Sequence, residues 1–496
     1  MTLKSFIGKF VAKYDVAQTK RWSNNPIKTQ EKVLQSLLDN AKNTDFGKDH
    51  GFLDIQNYDE FKKAVPVRDY EGLKHYIERI REGKLDVLWK GKPLYFAKTS
   101  GTTSGAKFIP LTKESLSYQI KAAKSALLHY VENSGNHHFI SGKMIFLQGS
   151  PELDKKPVIP NGRLSGIVAN FIPRYLQANR LPSYKTNCIE DWEEKVEAII
   201  EETLPQDMRL ISGIPSWVQM YFEKLEKKTG KNISTLFPNF SLFVFGGVNY
   251  EPYRKKFEEL IGKKIDSLEL YPASEGFFAF QDKQDEQGLL LLLDYGIFYE
   301  FIPASAFYDE NPRRISLKDV ELGVNYVLIL NTNAGLWGYN IGDTVEFTSL
   351  CPYRIIVTGR IKHFTSAFGE HVIAKEVEFA IKGAMQKYPE VKLTEFTVAP
   401  EVKPIEGLPH HEWFIEFATE PNDIDLFANC LDDLLQDQNT YYKDLISGKV
   451  LKKLEIKTLQ KGAFNLYMKT QGKLGGQNKV PRLANDRKIA DQLKVR

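Results

Sequence analysis

The chain predicts an α/β protein of two unequal domains, and three observations lead there. Up to Gly276, short apolar runs alternate with stretches of helical period, the pattern of parallel sheets covered by helices. From 277 to 357 the strand-like runs Leu289 to Leu293, Ile297 to Ile302, Tyr326 to Leu330, Asp343 to Phe347 and Arg354 to Val357 follow one another without a helical period. Residues 361 to 496 alternate again, and 496 residues exceed what one core usually supports. We expect a large N-terminal domain over 1–358 with mainly parallel sheets plus a small antiparallel, β-barrel-like sheet. A smaller α+β domain follows over 359–496.

In chain order, residues 1 to 85 read as helical. Phe6, Phe10 and Val11 make an apolar side that packs on the body, and Val33, Leu34, Leu37, Leu38 and Ala41 recur at helix spacing. Tyr70 to Glu82 is a further helix. Leu94 to Ala97 is a short strand that delivers a glycine loop, and Thr112 caps the helix after it. Strand, loop and helix in succession would expose the loop at a sheet edge, where open α/β sheets bind ligands. Met144 to Leu147, Leu210 to Ser212, Leu242 to Phe245 and Leu268 to Tyr271 are strands. Helices carry Val196, Ile199 and Ile200, and then Trp217, Tyr221 and Leu225. Thr358-Gly359-Arg360 is the expected hinge. Beyond it, Ala374 to Met385 and Ile424 to Leu435 are helices, and Trp413 to Phe417 and Val450 to Ile456 are strands.

Composition narrows the function classes. A hydrophobic share of 42% with 26% charged residues is ordinary globular composition, and a net charge of +4 gives no case for nucleic acid. Cys188, Cys351 and Cys430 lie far apart without metal-type pairing, which fits a reducing cytoplasm. Adjacent side chains diverge on a helix or a strand, so His137-His138 and His410-His411 read as loop residues rather than a metal site. The N-terminus lacks the continuous apolar core of a signal peptide, and the longest apolar run, Leu289 to Leu293, is too short to span a bilayer.

Four segments carry chemistry. Between Lys98 and Lys107 stand Thr99, Ser100, Gly101, Thr102, Thr103, Ser104, Gly105 and Ala106. Glycines let backbone N–H groups approach an anion, hydroxyls add donors, and Lys107 adds a charge. The spacing is not that of the common P-loop, and a flexible Gly/Ser/Thr loop is the alternative. Next, Tyr271-Pro272-Ala273-Ser274-Glu275-Gly276 offers an aromatic face, a hydroxyl and a carboxylate able to hold Mg²⁺, with a solvated loop acid as the alternative for Glu275. Third, Trp337 to Asp343 places an acceptor-only side chain on a glycine turn, suited to paired ribose hydroxyls or to capping its own turn. Last, Gly472 to Leu483 is a glycine-rich basic loop or a frayed basic tail.

Together and in this order the four resemble the adenylate-forming (acyl-activating) superfamily. They look most like its GH3 branch, the acyl acid–amido synthetases best known from plants, with this chain as a bacterial-type member. Thr99 to Pro110 resembles that branch's phosphate-loop motif, and Tyr271 to Gly276 its Tyr-x-x-Ser-Glu motif. Tyr339 to Asp343 matches its Tyr-x-x-Gly-Asp motif, and Gln477 to Arg482 its Gln-x-Lys-x-Pro-Arg stretch. The Arg-Thr-Gly-Asp and Pro-Arg-Thr segments of the commoner acyl-CoA synthetases are missing.

The resemblance implies the adenylate-forming fold with a mobile C-terminal domain, ATP and Mg²⁺ as cofactors, and a two-step ligation. A small carboxylic acid is adenylated with loss of pyrophosphate, and an amino acid amine then displaces AMP. It implies that Ser100, Gly101, Thr102, Thr103, Ser104, Gly105 and Lys107 hold phosphates. Glu275 would hold Mg²⁺, and Tyr271 and Ser274 would contact adenine or the α-phosphate. Asp343 would bind ribose with Arg360 helping, Lys479 would close over the first step, and His371, after the mobile-loop Gly369, would reach the nucleotide. The acyl pocket is expected between 160 and 221, with Leu164, Val168, Phe171, Ile172, Tyr175 and Trp217 as lining or as simple core. Arg174 would be a carboxylate clamp. An acyl-CoA ligase and a non-catalytic nucleotide sensor are the competing readings; Glu275 and Lys479 argue against the sensor.

Overall fold

The computed structural model describes residues 3–102, 105–171, 177–189, 192–247, 250–307, 309–361, 364–365, 367–370, 372–471, 480 and 482–496. Helices Leu3–Ser23, Pro26–Ala41, Asp45–Asp49, Tyr58–Ala64 and Tyr70–Arg81 open the chain. The second buries Val33, Leu34, Leu37, Leu38 and Ala41, as the spacing predicts. Its Gln30 is buried and fully used: the amide donates to Leu293 O at 2.8 Å and Ile297 O at 2.9 Å and accepts from Tyr299 N at 2.9 Å. Phe10 departs from expectation and is 75% exposed. The first helix buries Ala12 and Thr19, and Phe10 stands about 200° around the helix from Ala12.

Strands β1 (Tyr95–Thr102) and β2 (Gly105–Leu111) form an antiparallel hairpin, with Thr99 opposite Lys107 and Thr102 opposite Gly105. The glycine segment is therefore the tip of a hairpin, not a loop leading into a helix. Ile109, Pro110 and Leu111, which follow the glycine segment, are buried in a second strand. The helix Lys113–Ser134 starts after it, capped as expected: Ser115 N donates to Thr112 Oγ1 at 3.1 Å, and Thr112 N to Ser115 Oγ at 3.0 Å.

The main sheet is built from β3 (Lys143–Phe146), β5 (Arg180–Leu181), β6 (Met208–Ser212), β7 (Leu242–Gly246), β8 (Asp266–Ala273), β9 (Gly276–Phe280), β10 (Leu289–Leu291), β11 (Ile297–Pro303), β12 (Ile315–Ser316), β13 (Asn325–Thr332), β14 (Tyr339–Leu350) and β15 (Tyr353–Arg360). The short β4 (Asn161–Gly162) pairs instead with β1, in parallel. Among the described residues the sheet has 12 strands in the order β12-β11-β13-β14-β15-β10-β9-β8-β7-β6-β3-β5. The run β5, β3, β6, β7, β8 is parallel and the rest antiparallel. The separate barrel-like sheet expected over 277–357 is thus the antiparallel half of the same sheet. A tight reversal at Ser274-Glu275 sets Gly276 opposite Ala273, so β9 returns directly beside β8.

The two faces of this sheet carry different cores. Met144, Leu242 and Val244 join the cluster beneath the N-terminal helices. Ile145, Phe243 and Phe245 join a second cluster that runs on into Phe368, Trp413 and Leu431 of the smaller domain. That domain pairs β18 (Lys392–Glu401) antiparallel with β19 (His410–Thr419), and β19 parallel with β20 (Glu455–Thr458). The small hairpin β16 (Phe364–Thr365) and β17 (Val372–Ile373) precedes it.

Three expectations are corrected here. Thr358 and Gly359 lie in the ladder of β15, Gly359 opposite Thr344, so the chain leaves the sheet only after Arg360. The strand predicted from Val450 begins at Glu455, because Val450, Leu451 and Leu454 fill the core from an irregular segment. His410 and His411 lie in β19 and are buried. His410 Nδ1 bonds Leu408 O at 3.1 Å and His411 Nε2 bonds Glu370 at 2.9 Å, so one ring nitrogen of each has a partner inside the fold.

One buried pair ties the antiparallel half together. Arg314 meets Glu300 through Nε at 2.6 Å and through Nη2, and Asn331 donates to the same carboxylate at 2.8 Å. Glu300→Ala leaves the guanidinium buried without its counter-charge. The expected loss is about 3–5 kcal/mol, read as a lower urea midpoint; Glu300→Gln, which keeps an acceptor, should lose less.

Candidate active site

All parallel strands end at one edge, so the segments after them converge. Gln148 follows β3, Gly213-Ile214 follow β6, and Ser274-Glu275 follow β8. Tyr271, near the end of β8, donates from its hydroxyl to Asp343 Oδ2 at 2.6 Å. Tyr339 donates to Glu275 Oε1 at 3.3 Å. The second and third motifs are therefore cross-braced, each tyrosine bonded to the other motif's carboxylate. Both carboxylates are buried, Asp343 at 7% exposure and Glu275 at 9%. In the sheet order β9, β10 and β15 separate β8 from β14. On a flat sheet that is about 19 Å, beyond the reach of the two side chains, so the sheet curls to close the pair.

Other elements hold the two turns. Gln119 of the capped helix donates to Ala273 O at 2.8 Å. Gly338 has φ +55, and a Cβ there would lie 2.5 Å from Pro66 O, so the third motif needs glycine at this point. Arg68 N donates to Gly338 O at 2.9 Å, and Asn340 N to Arg68 O at 2.8 Å. Trp337 is wholly buried, its Nε1 donating to Leu88 O at 3.0 Å.

The other predicted residues fall as follows. Ser100, Gly101, Thr102 and Gly105 are in the backbone of the β1–β2 hairpin, with Lys107 half-buried in β2. Phe108 N beside it donates to Tyr70 Oη at 3.0 Å. Ser274 is half-buried at the β8–β9 turn, and Arg360 stands opposite Asp343 in the β14–β15 ladder. Thr103, Ser104, Arg174, His371 and Lys479 lie outside the described residues, as do Ile172 and Tyr175. The pocket group is split: Leu164, Val168 and Phe171 pack with the first cluster, Trp217 with the second, on the opposite face of the sheet. Helical spacing alone could not assign them to faces.

Two polar clusters escaped sequence reasoning. His410, Glu412 and Glu455 bring potential ligand atoms within 4.8 Å of one another. Lys457 Nζ, however, lies 3.1 Å from Glu412 and 2.9 Å from Glu455, and Arg487 is 2.7 Å from Glu412, so resident cations already serve these carboxylates. Lys195 is buried behind the end of β3, donating to Asn187 O at 2.6 Å and Gln148 O at 3.3 Å. Its position beside Val196, on the apolar face of its helix, was the available signal.

Models of the GH3 family match most of the chain: the N-terminal domain at 16–174 and 161–265, the central domain at 290–360 and the C-terminal domain at 375–488. The chain belongs to the GH3 family. Curated relatives include the jasmonoyl–L-amino acid synthetase JAR4 of Nicotiana attenuata, 23% identical over 542 residues, covering 92% of this chain and 90% of the relative. The indole-3-acetic acid-amido synthetase GH3.3 of Arabidopsis thaliana is 22% identical over 560 residues, covering 94% and 91%. Among solved structures, the AtGH3.15 acyl acid amido synthetase in complex with 2,4-DB superposes with a TM-score of 0.63 at 18% identity, covering 97% of this chain and 95% of that one. A 2-hydroxyisobutyryl-CoA ligase in its thioesterification state reaches 0.59 at 12% identity, covering 94% and 91%. These GH3 and ligase structures share the fold.

Burial in this GH3 chain lowers the Lys195 ammonium to about 8, from an ordinary value of 10.5, with the Arg163 charge adding to the effect. Between those values the unfolded chain holds the extra proton, so stability rises with pH there; below pH 8 the burial penalty is felt in full. Stability relative to Lys195→Met should therefore shift in favour of the native chain by about 2–3 kcal/mol between pH 7 and pH 10. Paired urea titrations would measure it, and no change with pH would refute a depressed lysine.

Proposed function

We propose that this GH3 chain is an ATP-dependent acyl acid–amido synthetase, of the bacterial type read from its sequence. The observation that carries the reading is the reciprocal bonding of Tyr271 with Asp343 and of Tyr339 with Glu275, at the edge where the parallel strands end. The family match and the relatives' named activities support the same reading. In the first half-reaction, an oxygen of a small carboxylic acid attacks the α-phosphorus of ATP. The α–β phosphoanhydride bond breaks and pyrophosphate leaves. In the second, an amine of an amino acid attacks the acyl carbon, the mixed anhydride breaks, and AMP carries away the electron pair.

Within this reading Ser100 to Gly105 and Lys107 receive the phosphates at the hairpin tip. Asp343 accepts from ribose hydroxyls, and its bond from Tyr271 fixes the carboxylate plane. Arg360, opposite in the ladder, adds positive charge. Ser274 and Tyr271 stand at the α-phosphate and base, and Lys479 and His371 serve as closing groups. Glu275 suits Mg²⁺ as a carboxylate beside phosphates; bound there, the ion would neutralise charge developing on the phosphate oxygens. The remainder of the site orients two anions and excludes water.

The smaller domain pivoting after Arg360 is part of the proposal. It is supported by the chain's exit from β15 at that point; in the arrangement seen here Tyr253 Oη donates to Ala367 O at 3.0 Å, Arg163 pairs with Asp444 at 2.6 Å, and the second core cluster spans both domains. A cytoplasmic setting is supported by the free cysteines Cys188, Cys351 and Cys430, and no described helix is long and apolar enough to cross a membrane.

Acid-dependent exchange of labelled pyrophosphate into ATP, run across a panel of acids, tests the reading. Mass analysis of products with mixed amino acids or coenzyme A identifies the acceptor. Amide products are expected, and exclusive thioester formation would refute the assignment. Asp343→Ala should raise the KM for ATP about 10- to 100-fold, while Tyr271→Phe, which keeps the carboxylate but frees its plane, should raise it only a few-fold.

A further inference from the structure

Arg180 lies in β5, the edge strand of the main sheet, in register with Met144 of β3. Its guanidinium sits 5.1 Å from the centre of the Phe146 ring. Helix Leu164–Ala169 packs over the same face, where Leu164, Val168 and Phe171 join the first core cluster. Among the described residues the guanidinium has one marginal bond, from Nη1 to Ala169 O at 3.4 Å, and its buried Nε has no partner.

The buried guanidiniums of Arg314 and Arg354 are paired with Glu300 and Asp282, and Arg487, half-buried like Arg180, is paired with Glu412. Among the described residues Arg180 faces no carboxylate, and burial shifts it downward from the ordinary arginine value. A desolvated guanidinium without an anion is unfavourable, and an apolar side chain would pack better on Phe146. Its planar fork is shaped for a carboxylate. The surrounding apolar face lies next to the phosphate hairpin: Phe171 meets Tyr95, the first residue of β1, ring to ring at 5.8 Å.

We propose that Arg180 binds a carboxylate of the substrates, on the apolar face beneath residues 164–171. This deepens the synthetase reading and rests on it. A carboxylate held in this fork is a spectator in both half-reactions, because the oxygen that attacks phosphorus must be free to move. Two sources share the chemistry: a second carboxylate on the acid being activated, or the α-carboxylate of the amino acid acceptor.

The test uses the full chain with Arg180→Gln and, where that folds poorly, Arg180→Lys, which keeps the charge without the fork. Pyrophosphate exchange without amine gives the KM for mono- and dicarboxylic acids; conjugation gives the KM for an amino acid and for its carboxamide. A ten- to hundredfold higher KM in Arg180→Gln is expected for one carboxylate substrate, with kcat and the KM for ATP unchanged and partial recovery in Arg180→Lys. A change confined to dicarboxylic acids assigns the fork to the activated acid. A change confined to the amino acid, with its carboxamide no longer disfavoured, assigns it to the acceptor. Unchanged KM values for every carboxylate, or a fall in kcat that tracks the thermal midpoint, overturns the proposal. Absence of exchange in the native chain would refute the synthetase reading instead. In that case carboxylates that raise the native thermal midpoint but not that of Arg180→Gln would still support the fork, and no such difference would end it.

Discussion

Two tyrosine–carboxylate bonds hold distant parts of this chain in one place. Tyr271 and Asp343 are 72 residues apart in sequence, Tyr339 and Glu275 are 64 apart, and all four side chains are buried. Hydrogen bonds to ionised groups contribute about 1.5–3 kcal/mol each, and a buried carboxylate that loses its donor pays the full desolvation penalty. The curl of the sheet, the tight reversal at Ser274-Glu275 and the glycine at 338 all serve to bring these four groups together. A flatter sheet would leave two buried carboxylates without these donors.

A second constraint works from the other side. Glu370 accepts from Phe368 N at 2.8 Å and meets His411 at 2.9 Å, both side chains wholly buried. This pair anchors the segment that carries Gly369 to the start of β19. Gly369 has φ +88, and a Cβ there would stand 3.0 Å from Ile214, which follows β6. The smaller domain thus meets the larger one where the parallel strands end. Its last residues are also tied down: Val398 N donates to Arg482 O at 3.0 Å, and Arg482 pairs with Glu395.

Local signals were legible where backbone chemistry is local. The cap at Thr112, the helical face of Val33 to Ala41 and the strands Leu242 to Phe245 and Leu268 to Tyr271 follow from side-chain period and capping alone. The signals failed where a residue answers to a distant partner. His411 reads as a loop residue because the carboxylate it meets, Glu370, is 41 residues away in sequence. The β1–β2 hairpin was missed because Phe108 to Leu111 is too short a run for its period to separate a strand from a helix approach. Lys195 and Arg180 carry no motif; only burial distinguishes them from surface cations.

By itself the sequence determined the family and most of the order of strand and helix, and it marked four segments proposed to carry the chemistry. Those depend on residue type and spacing within a few turns of chain. Tertiary structure alone decided that the antiparallel strands extend the parallel sheet, that Tyr271 answers Asp343 while Tyr339 answers Glu275, and that Trp217 stands across the sheet from Leu164. Strand pairing and buried hydrogen bonds join residues by their position in space, and separation along the chain carries no record of which pairs will meet.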